Sequence, residues 1–143
     1  MRVLISFELD GLPPTVNLLY RNFRGHRYKT PQGRAYQEQV AGLLRNRWEG
    51  QPPYESPVEL RLIFTANNCR RWDIDNRVKA LQDCLSLAGV LKDDRQVEIL
   101  HVERKYGEKQ GTYIEVRAID TTTRISERKE SLRNWIGQCL EKF

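Results

Sequence analysis

Apolar and polar residues alternate along residues 2–9 (RVLISFEL), the period-two pattern of a strand with one buried face. Gly11-Leu12-Pro13-Pro14 ends that strand, and Asn17 follows in what should be an ordered loop. Residues 18–29 admit two readings, a short hairpin or an extended basic arm, with Gly25 supplying a bend. Thr30-Pro31 then opens a helix, with threonine at the N-cap and proline at the first helical position. Tyr36, Val40, Leu43, Leu44 and Trp48 keep helical spacing until Gly50-Gln51-Pro52-Pro53 stops it. Val58, Leu60, Leu62 and Phe64 alternate with Glu59, Arg61 and Ile63, which predicts a second strand, and Asn67-Asn68 breaks it. Ile74, Val78, Leu81, Leu85 and Ala88 repeat in steps of four and three, predicting a helix over 74–88 with Gly89 as its stop. Residues 97–105 and 112–119 have strand character and are joined by a hairpin loop over 107–111. Beyond Thr121, one face of a charged amphipathic helix carries Ile125, Leu132, Trp135, Ile136, Cys139, Leu140 and Phe143, with Gly137 costing about 1 kcal/mol. The order β-α-β-α-β-β-α predicts an α+β domain over residues 1–119, its mixed and mostly antiparallel sheet packed against helices. Residues 120–143 form a C-terminal helical extension.

Composition narrows the class. A chain of 143 residues can bury a core without staples, and 39% hydrophobic with 30% charged residues marks a folded globular protein. No apolar run approaches the roughly 20 residues that span a bilayer, and the N-terminus lacks a signal-peptide pattern, so a cytoplasmic protein without membrane contact is expected. Cys69, Cys84 and Cys139 are scattered and are expected as reduced thiols; no histidine joins them at zinc-binding spacing. No base neighbours any of them to activate a nucleophile. The net charge of +5 supports nucleic-acid binding only weakly by itself. Its distribution adds more: Arg21, Arg24, Arg27 and Lys29 interleave with Tyr20, Phe23, His26 and Tyr28, and Arg70-Arg71 lies farther along. Clustered cations neutralise phosphates and neighbouring aromatic rings stack on unpaired bases, although a solvated basic loop would have the same composition.

Against this basic background, three aspartates stand out: Asp73, Asp75 and, after the predicted helix and a turn, Asp94. At about 100° per residue, Asp75 flanks the apolar stripe and Lys79 lies one turn along the same side. Asp73 converges with Asp75 only if it precedes the helix, at or before the N-cap, where the helix dipole favours negative charge. Asp83 projects opposite the core and is expected to be a solvated charge. Taken alone, Asp73 and Asp75 would serve equally as a plain cap, with Asp75–Lys79 as an ordinary ion pair one turn apart. The return of Asp93-Asp94 one helix length later, together with Arg70-Arg71, favours a site for a hard cation and a phosphate. Carboxylates suit Mg²⁺, which takes one or two protein ligands and keeps waters and phosphate oxygens. A calcium loop of the EF-hand type is excluded, because Val78 stands where its glycine and Cys84 where its terminal glutamate belong.

The segment Arg70-Arg71-Trp72-Asp73-Ile74-Asp75-Asn76, followed by Lys79, Ala88-Gly89 and Asp93-Asp94, resembles the RusA-type Holliday junction resolvases. Pro13-Pro14-Thr15-Val16-Asn17 and Gly33-Arg34-Ala35-Tyr36 resemble that family's N-terminal signatures, and the likeness runs from about residue 8 to residue 119. The resemblance implies a Mg²⁺-dependent endonuclease, with Mn²⁺ as a substitute, acting as a homodimer on four-way junction DNA. It places the catalytic, metal-holding acids on Asp73, Asp75 and Asp94 and the essential lysine on Lys79. Asn17, Asn76 and Asp93 are expected in support, Asn76 by orienting an acid or a water. Trp72 departs from the family, replacing a further basic residue, and so could alter phosphate contacts or stacking. The C-terminal helix extends beyond the family's compact domain and would either cover the sheet or enlarge a dimer interface. Two rival functions share the basic surface: a non-catalytic protein binding junctions or single strands, and a nuclease for other branched DNA.

Overall fold

The computed structural model describes residues 1–142, apart from the side chain of Thr123; Phe143, expected on the C-terminal apolar face, lies outside the described residues. Four strands form the main sheet: β1 (Arg2–Asp10), β4 (Val58–Ala66), β5 (Val97–Tyr106) and β6 (Gly111–Ala118), in the order β1-β6-β4-β5. β1 and β4 each pair antiparallel with β6, while β4 and β5 run parallel from Val58 opposite Val97 to Ala66 opposite Tyr106. The hairpin expected from residues 97–105 and 112–119 does not form, because the buried strand β4 takes the place between β5 and β6 and pairs with both. The sheet is therefore mixed and mostly antiparallel, as the element order predicts. A parallel pair cannot be closed by a tight turn, so residues 67–96 must cross over the sheet, and both acid-bearing segments ride on that crossover.

One face of the sheet makes the core. Val58, Leu60, Leu62 and Phe64 of β4 are fully buried, joined by Ile114 and Val116 of β6. Burying each such side chain contributes about 1.5–3 kcal/mol. Helix α2 (Pro31–Trp48) covers this face with Val40, Ala41, Leu44 and Trp48. Its start is the one anticipated: Thr30 Oγ1 accepts a hydrogen bond from the Gly33 N–H at 3.0 Å, with Pro31 next in the chain. Between β1 and α2 the chain forms a single helical turn, α1 (Val16–Leu19), where a loop is expected from the sequence. It then forms the hairpin β2 (Tyr20–Phe23) and β3 (His26–Lys29), so of the two readings of residues 18–29 the hairpin holds. Arg24 and Gly25 both have positive φ, +49° and +77°, as a two-residue type I′ turn requires.

The helix expected over 74–88 forms in two pieces. Ile74–Arg77 is a 3-10 turn, and α3 (Val78–Leu87) follows as a regular helix. Asp73 is extended and lends no side-chain cap, so the first turn tightens onto an i→i+3 bond, Asn76 N–H to the Asp73 carbonyl at 3.2 Å. The far end closes as anticipated at Gly89, whose φ is +74°. Its N–H reaches the Ser86 carbonyl at 3.1 Å, and the Val90 N–H reaches Leu85 at 3.0 Å, the paired bonds of a Schellman motif.

Helix α4 (Thr121–Leu140) is capped by Asp120, which accepts from the Thr122 N–H at 2.9 Å. Its apolar face does not cover the sheet: Ile125, Leu132, Trp135, Ile136 and Leu140 are all exposed. Arg124 tethers the first turn to Glu98 of β5 at 3.3 Å. Among the described residues, no helix is long and apolar enough to cross a membrane.

Candidate active site

Lys79 occupies the first turn of α3, and its Nζ stands 2.9 Å from Asp83 Oδ1 and 3.1 Å from Asp94 Oδ2. The pair with Asp75 that helical spacing allows is not the one formed. Lys79 instead points along the helix to Asp83, four residues on, and across to the turn that precedes β5. Asp94 is the first residue of a 3-10 turn, Asp94–Gln96, and its neighbour Asp93 fixes that turn. Asp93 Oδ1 accepts from the Arg95 N–H at 2.9 Å, while Gln96 Oε1 accepts from the Asp93 N–H at 2.8 Å. The Gln96 amide donates in turn to the carbonyls of Tyr54 and Ser56, at 2.6 and 3.0 Å, so the turn is riveted to the chain entering β4. Hydrogen bonds from the Arg95 side chain and backbone hold the Asp93 carboxyl well below the usual carboxylate range. Asp93 is thus occupied with the turn, and its neighbour Asp94 is the one that meets Lys79.

Asp83 corrects the expectation of a solvated charge. Its side chain is only 17% exposed, and its Oδ2 accepts from the Tyr20 hydroxyl at 3.0 Å and from Gln37 Nε2 at 3.3 Å, with Lys29 Nζ at 3.8 Å. Helix geometry would leave this side chain in water on an isolated helix, but the side of α3 away from the sheet is covered here. Tyr20 and Lys29, paired across the open base of the β2–β3 hairpin, both reach it, and Gln37 arrives from α2 as a buried amide. A carboxylate withdrawn from water needs such partners. Burial alone would raise the Asp83 pKa; hydrogen bonds from Lys79 and Tyr20 outweigh it and carry the group below its ordinary value. The bond to Asp83, opposed by partial burial and reinforced by Asp94, lifts the Lys79 pKa to about 12. Lys79 is a fixed cation across the neutral range.

Asp73 and Asp75 are exposed, on either side of Ile74 where the 3-10 turn begins, and neither takes part in an ion pair among the described residues. Asn76, half-buried, contributes its backbone N–H to that turn. The structure therefore joins Lys79 with Asp94 and with the unanticipated Asp83, and leaves Asp73 and Asp75 free at the start of the same helical segment. Among the described residues, no three His, Cys, Asp or Glu side chains form a metal-binding cluster. The donor chemistry still fits a hard cation, since the acids at the surface offer carboxylate oxygens only, and Mg²⁺ draws most of its shell from water and phosphate.

The basic residues fall into two groups. Arg21, Arg24 and Arg27 are exposed on the hairpin, Arg27 lying 4.0 Å from the Tyr20 ring centroid and Arg24 5.3 Å from that of Phe23. Lys29, at the hairpin's base, turns inward to Asp83. Arg70 and Arg71 are exposed on the loop leading to Asp73, and Asn17 is exposed on α1. Trp72 is half-buried, edge-on to Phe64 with ring centroids 5.9 Å apart, and the guanidinium groups of Arg77 and Arg104 lie 4.8 and 5.2 Å from its ring. Arg77 also donates to the Pro13 carbonyl, which ties the N-terminal proline loop to the acid-bearing turn. Asp83, Tyr20 and Gln37 are what sequence reasoning missed. The i,i+4 spacing of Lys79 and Asp83 was the available signal.

Comparison with known proteins shows the family. Residues 10–117 match the family described as Endodeoxyribonuclease RusA. The Crossover junction endodeoxyribonuclease RusA of Escherichia coli K12 is 36% identical over 85 residues, 59% of this chain and 70% of that protein. Its namesake in Aquifex aeolicus is 33% identical over 116 residues, covering 79% of this chain and 90% of the relative. A third, from Enterobacteria phage 82, is 35% identical over 85 residues, 59% of this chain and 70% of the relative. The match spans β4, β5, all but the last residue of β6, the crossover and both acid-bearing turns, and the chain belongs to the RusA endodeoxyribonuclease family.

Proposed function

We propose that this protein resolves four-way DNA junctions by hydrolysing phosphodiester bonds, acting in the cytoplasm as a homodimer whose two sites nick opposing strands. The observation that carries the reading is Lys79, a permanently charged ammonium clamped between Asp83 and Asp94 and one turn along from the exposed acids Asp73 and Asp75. A compact cation at that place offsets the negative charge that builds on a phosphate as water attacks and the 3′-oxygen departs. Asp73, Asp75 and Asp94 would hold Mg²⁺, with Mn²⁺ able to substitute. Bound there, the ion would polarise the phosphate and lower the pKa of a water. Two carboxylates on one lysine serve this arrangement: were Asp94 drawn to a cation, Asp83 would keep Lys79 in place. The exposed arginines of the hairpin and Arg70-Arg71 supply charge for the DNA backbone. A two-fold dimer would present the same site to both strands of a symmetric junction.

The deciding experiment compares wild-type protein with Asp75→Asn on synthetic four-way junctions, flaps and linear duplex at one salt concentration. Wild type should cut the junction with Mg²⁺ and not with a chelator. Asp75→Asn should lose cleavage while binding the junction as tightly or more tightly, because a charge facing phosphate is gone. A wild-type protein that binds junctions and leaves them intact with either metal would instead be a non-catalytic binder. Preferential cutting of flaps would reassign the substrate.

A further inference from the structure

Beside Asp73 lies an open cleft of about 780 Å³ lined by Cys69, Arg71, Trp72, Asp73, Arg104 and Tyr106. Two aromatic rings and two arginines thus surround one carboxylate that the proposed function places at the reacting phosphate. The rings differ in status. Trp72 is committed to the protein: it packs edge-on to Phe64, and Arg77 and Arg104 stand over it. Tyr106 is free. It is the last residue of β5, an edge strand, and is 64% exposed, with the Arg104 guanidinium 5.9 Å from its ring centroid. Arg104 is itself fixed, because its Nη1 donates to the Trp72 carbonyl at 3.0 Å. An alternating ladder, Arg77–Trp72–Arg104–Tyr106, therefore runs out from the core and ends on a solvent-facing aromatic ring at the rim of the cleft.

We infer that this cleft receives an unstacked DNA base adjacent to the cut phosphate, with Tyr106 as its stacking surface and Arg71 and Arg104 on the flanking backbone. The chemistry selects the occupant. A flat π-face with guanidinium groups beside it suits a nucleobase joined to phosphate, and the opening is too wide and too cationic to hold a small apolar molecule. A base inside a duplex has both faces covered by its neighbours, so only a base released at a branch could use Tyr106. The cleft would in this way favour branched over linear DNA without reading sequence at base edges. This inference rests on the nuclease reading for its placement next to the reacting phosphate.

The test uses a synthetic four-way junction carrying a fluorescent aminopurine at the branch, with the matching linear duplex as control. Wild type, Tyr106→Ala and Tyr106→Phe are compared for binding, for quenching of the probe and for single-turnover cleavage. Wild type should quench the branch probe. Tyr106→Ala should abolish that quenching and bind the junction about 5- to 100-fold more weakly, the range expected for removing one base–aromatic stack. Its duplex affinity should not change, and Tyr106→Phe should behave as wild type. The side chain is exposed, so an unchanged urea midpoint will show that the variants are folded. If Tyr106→Ala keeps quenching and affinity, or if Tyr106→Phe fails as badly, the stacking role is wrong although cleavage by wild type would still support a nuclease. If wild type cuts nothing yet quenches through Tyr106, the stacking role stands and the nuclease reading falls.

Discussion

Replacing Asp83 with asparagine tests whether Lys79 depends on a carboxylate held out of water by Tyr20 and Gln37. Asparagine keeps the shape and one carbonyl acceptor for Tyr20 or Gln37, but it removes the charge 2.9 Å from Lys79 Nζ. An exposed ion pair contributes about 0.2–1 kcal/mol, and breaking a buried one costs about 3–5 kcal/mol. With side chains 41% and 17% exposed, this pair lies between those limits, and Asp94 still holds the lysine. We expect a loss of about 1–2 kcal/mol, which moves the urea midpoint down by roughly 0.5–1 M at an m-value of about 2 kcal/mol per molar. Once Asp94 is drawn to the metal, Lys79 should wander from its place, and single-turnover junction cleavage should fall about 10- to 100-fold, as displacement of a reacting group does, with junction affinity unchanged. The pH dependence separates charge from shape. Asp83 titrates below its ordinary value in the folded protein, so its contribution is complete above the unfolded carboxylate pKa, about 4, and is lost as pH falls through the lower folded value. The stability gap between wild type and Asp83→Asn should therefore be constant at neutral pH and close in acid. A variant with the wild-type urea midpoint and cleavage rate at pH 7 would refute this dependence outright.

Two further perturbations probe the frame around the site. Gly33 sits where a Cβ would lie 2.9 Å from Leu19 Cδ1 and 3.0 Å from the Leu19 carbonyl oxygen, so Gly33→Ala must push the base of the hairpin away from α2. Despite the better helix propensity of alanine, worth about 1 kcal/mol, we expect a net loss of about 1–2 kcal/mol in urea unfolding and a drop in cleavage, since Tyr20 would be carried off Asp83. Replacing Arg21, Arg24 and Arg27 with alanine should weaken junction binding across all sequences and flatten the slope of log affinity against log salt by about one for each phosphate no longer neutralised. Binding titrations at several salt concentrations would show it, and an unchanged slope would remove the hairpin from the DNA surface.

Much of this fold was legible because its strands and helices carry their own periods. β4 shows one alternating run, and Val58, Leu60, Leu62 and Phe64 are all buried as that run requires. Gly89 and the Thr30-Pro31 start were readable for a similar reason, as left-handed stops and side-chain caps are local matters. The break at Ile74–Arg77 was not, because apolar spacing passes smoothly from Ile74 to Val78 while the backbone tightens for want of a cap at Asp73. Asp83 was misjudged for a different cause. Helical geometry says which way a side chain leaves its own axis, and nothing about the hairpin and α2 that close over it. The positions of Asp73, Asp75, Lys79 and Asp94 came from motif spacing, and the structure adds that Lys79 and Asp94 touch. The outward-facing apolar side of α4 could be recognised as amphipathic, but what it packs against is not written in its own residues.

Tyr20 and Asp83 are 63 residues apart in the chain, and Gln37 and Asp83 are 46 apart. The lysine's seat therefore closes only after three distant segments have come together, long after helix α3 has the means to form. Such contacts carry a loop-closure penalty and lie outside the packed sheet, so they belong to the part of a protein that opens by local fluctuation. Catalytic competence should accordingly be gained last during refolding and surrendered first under mild denaturant, leaving a folded yet inactive species whose sheet amides remain protected from exchange.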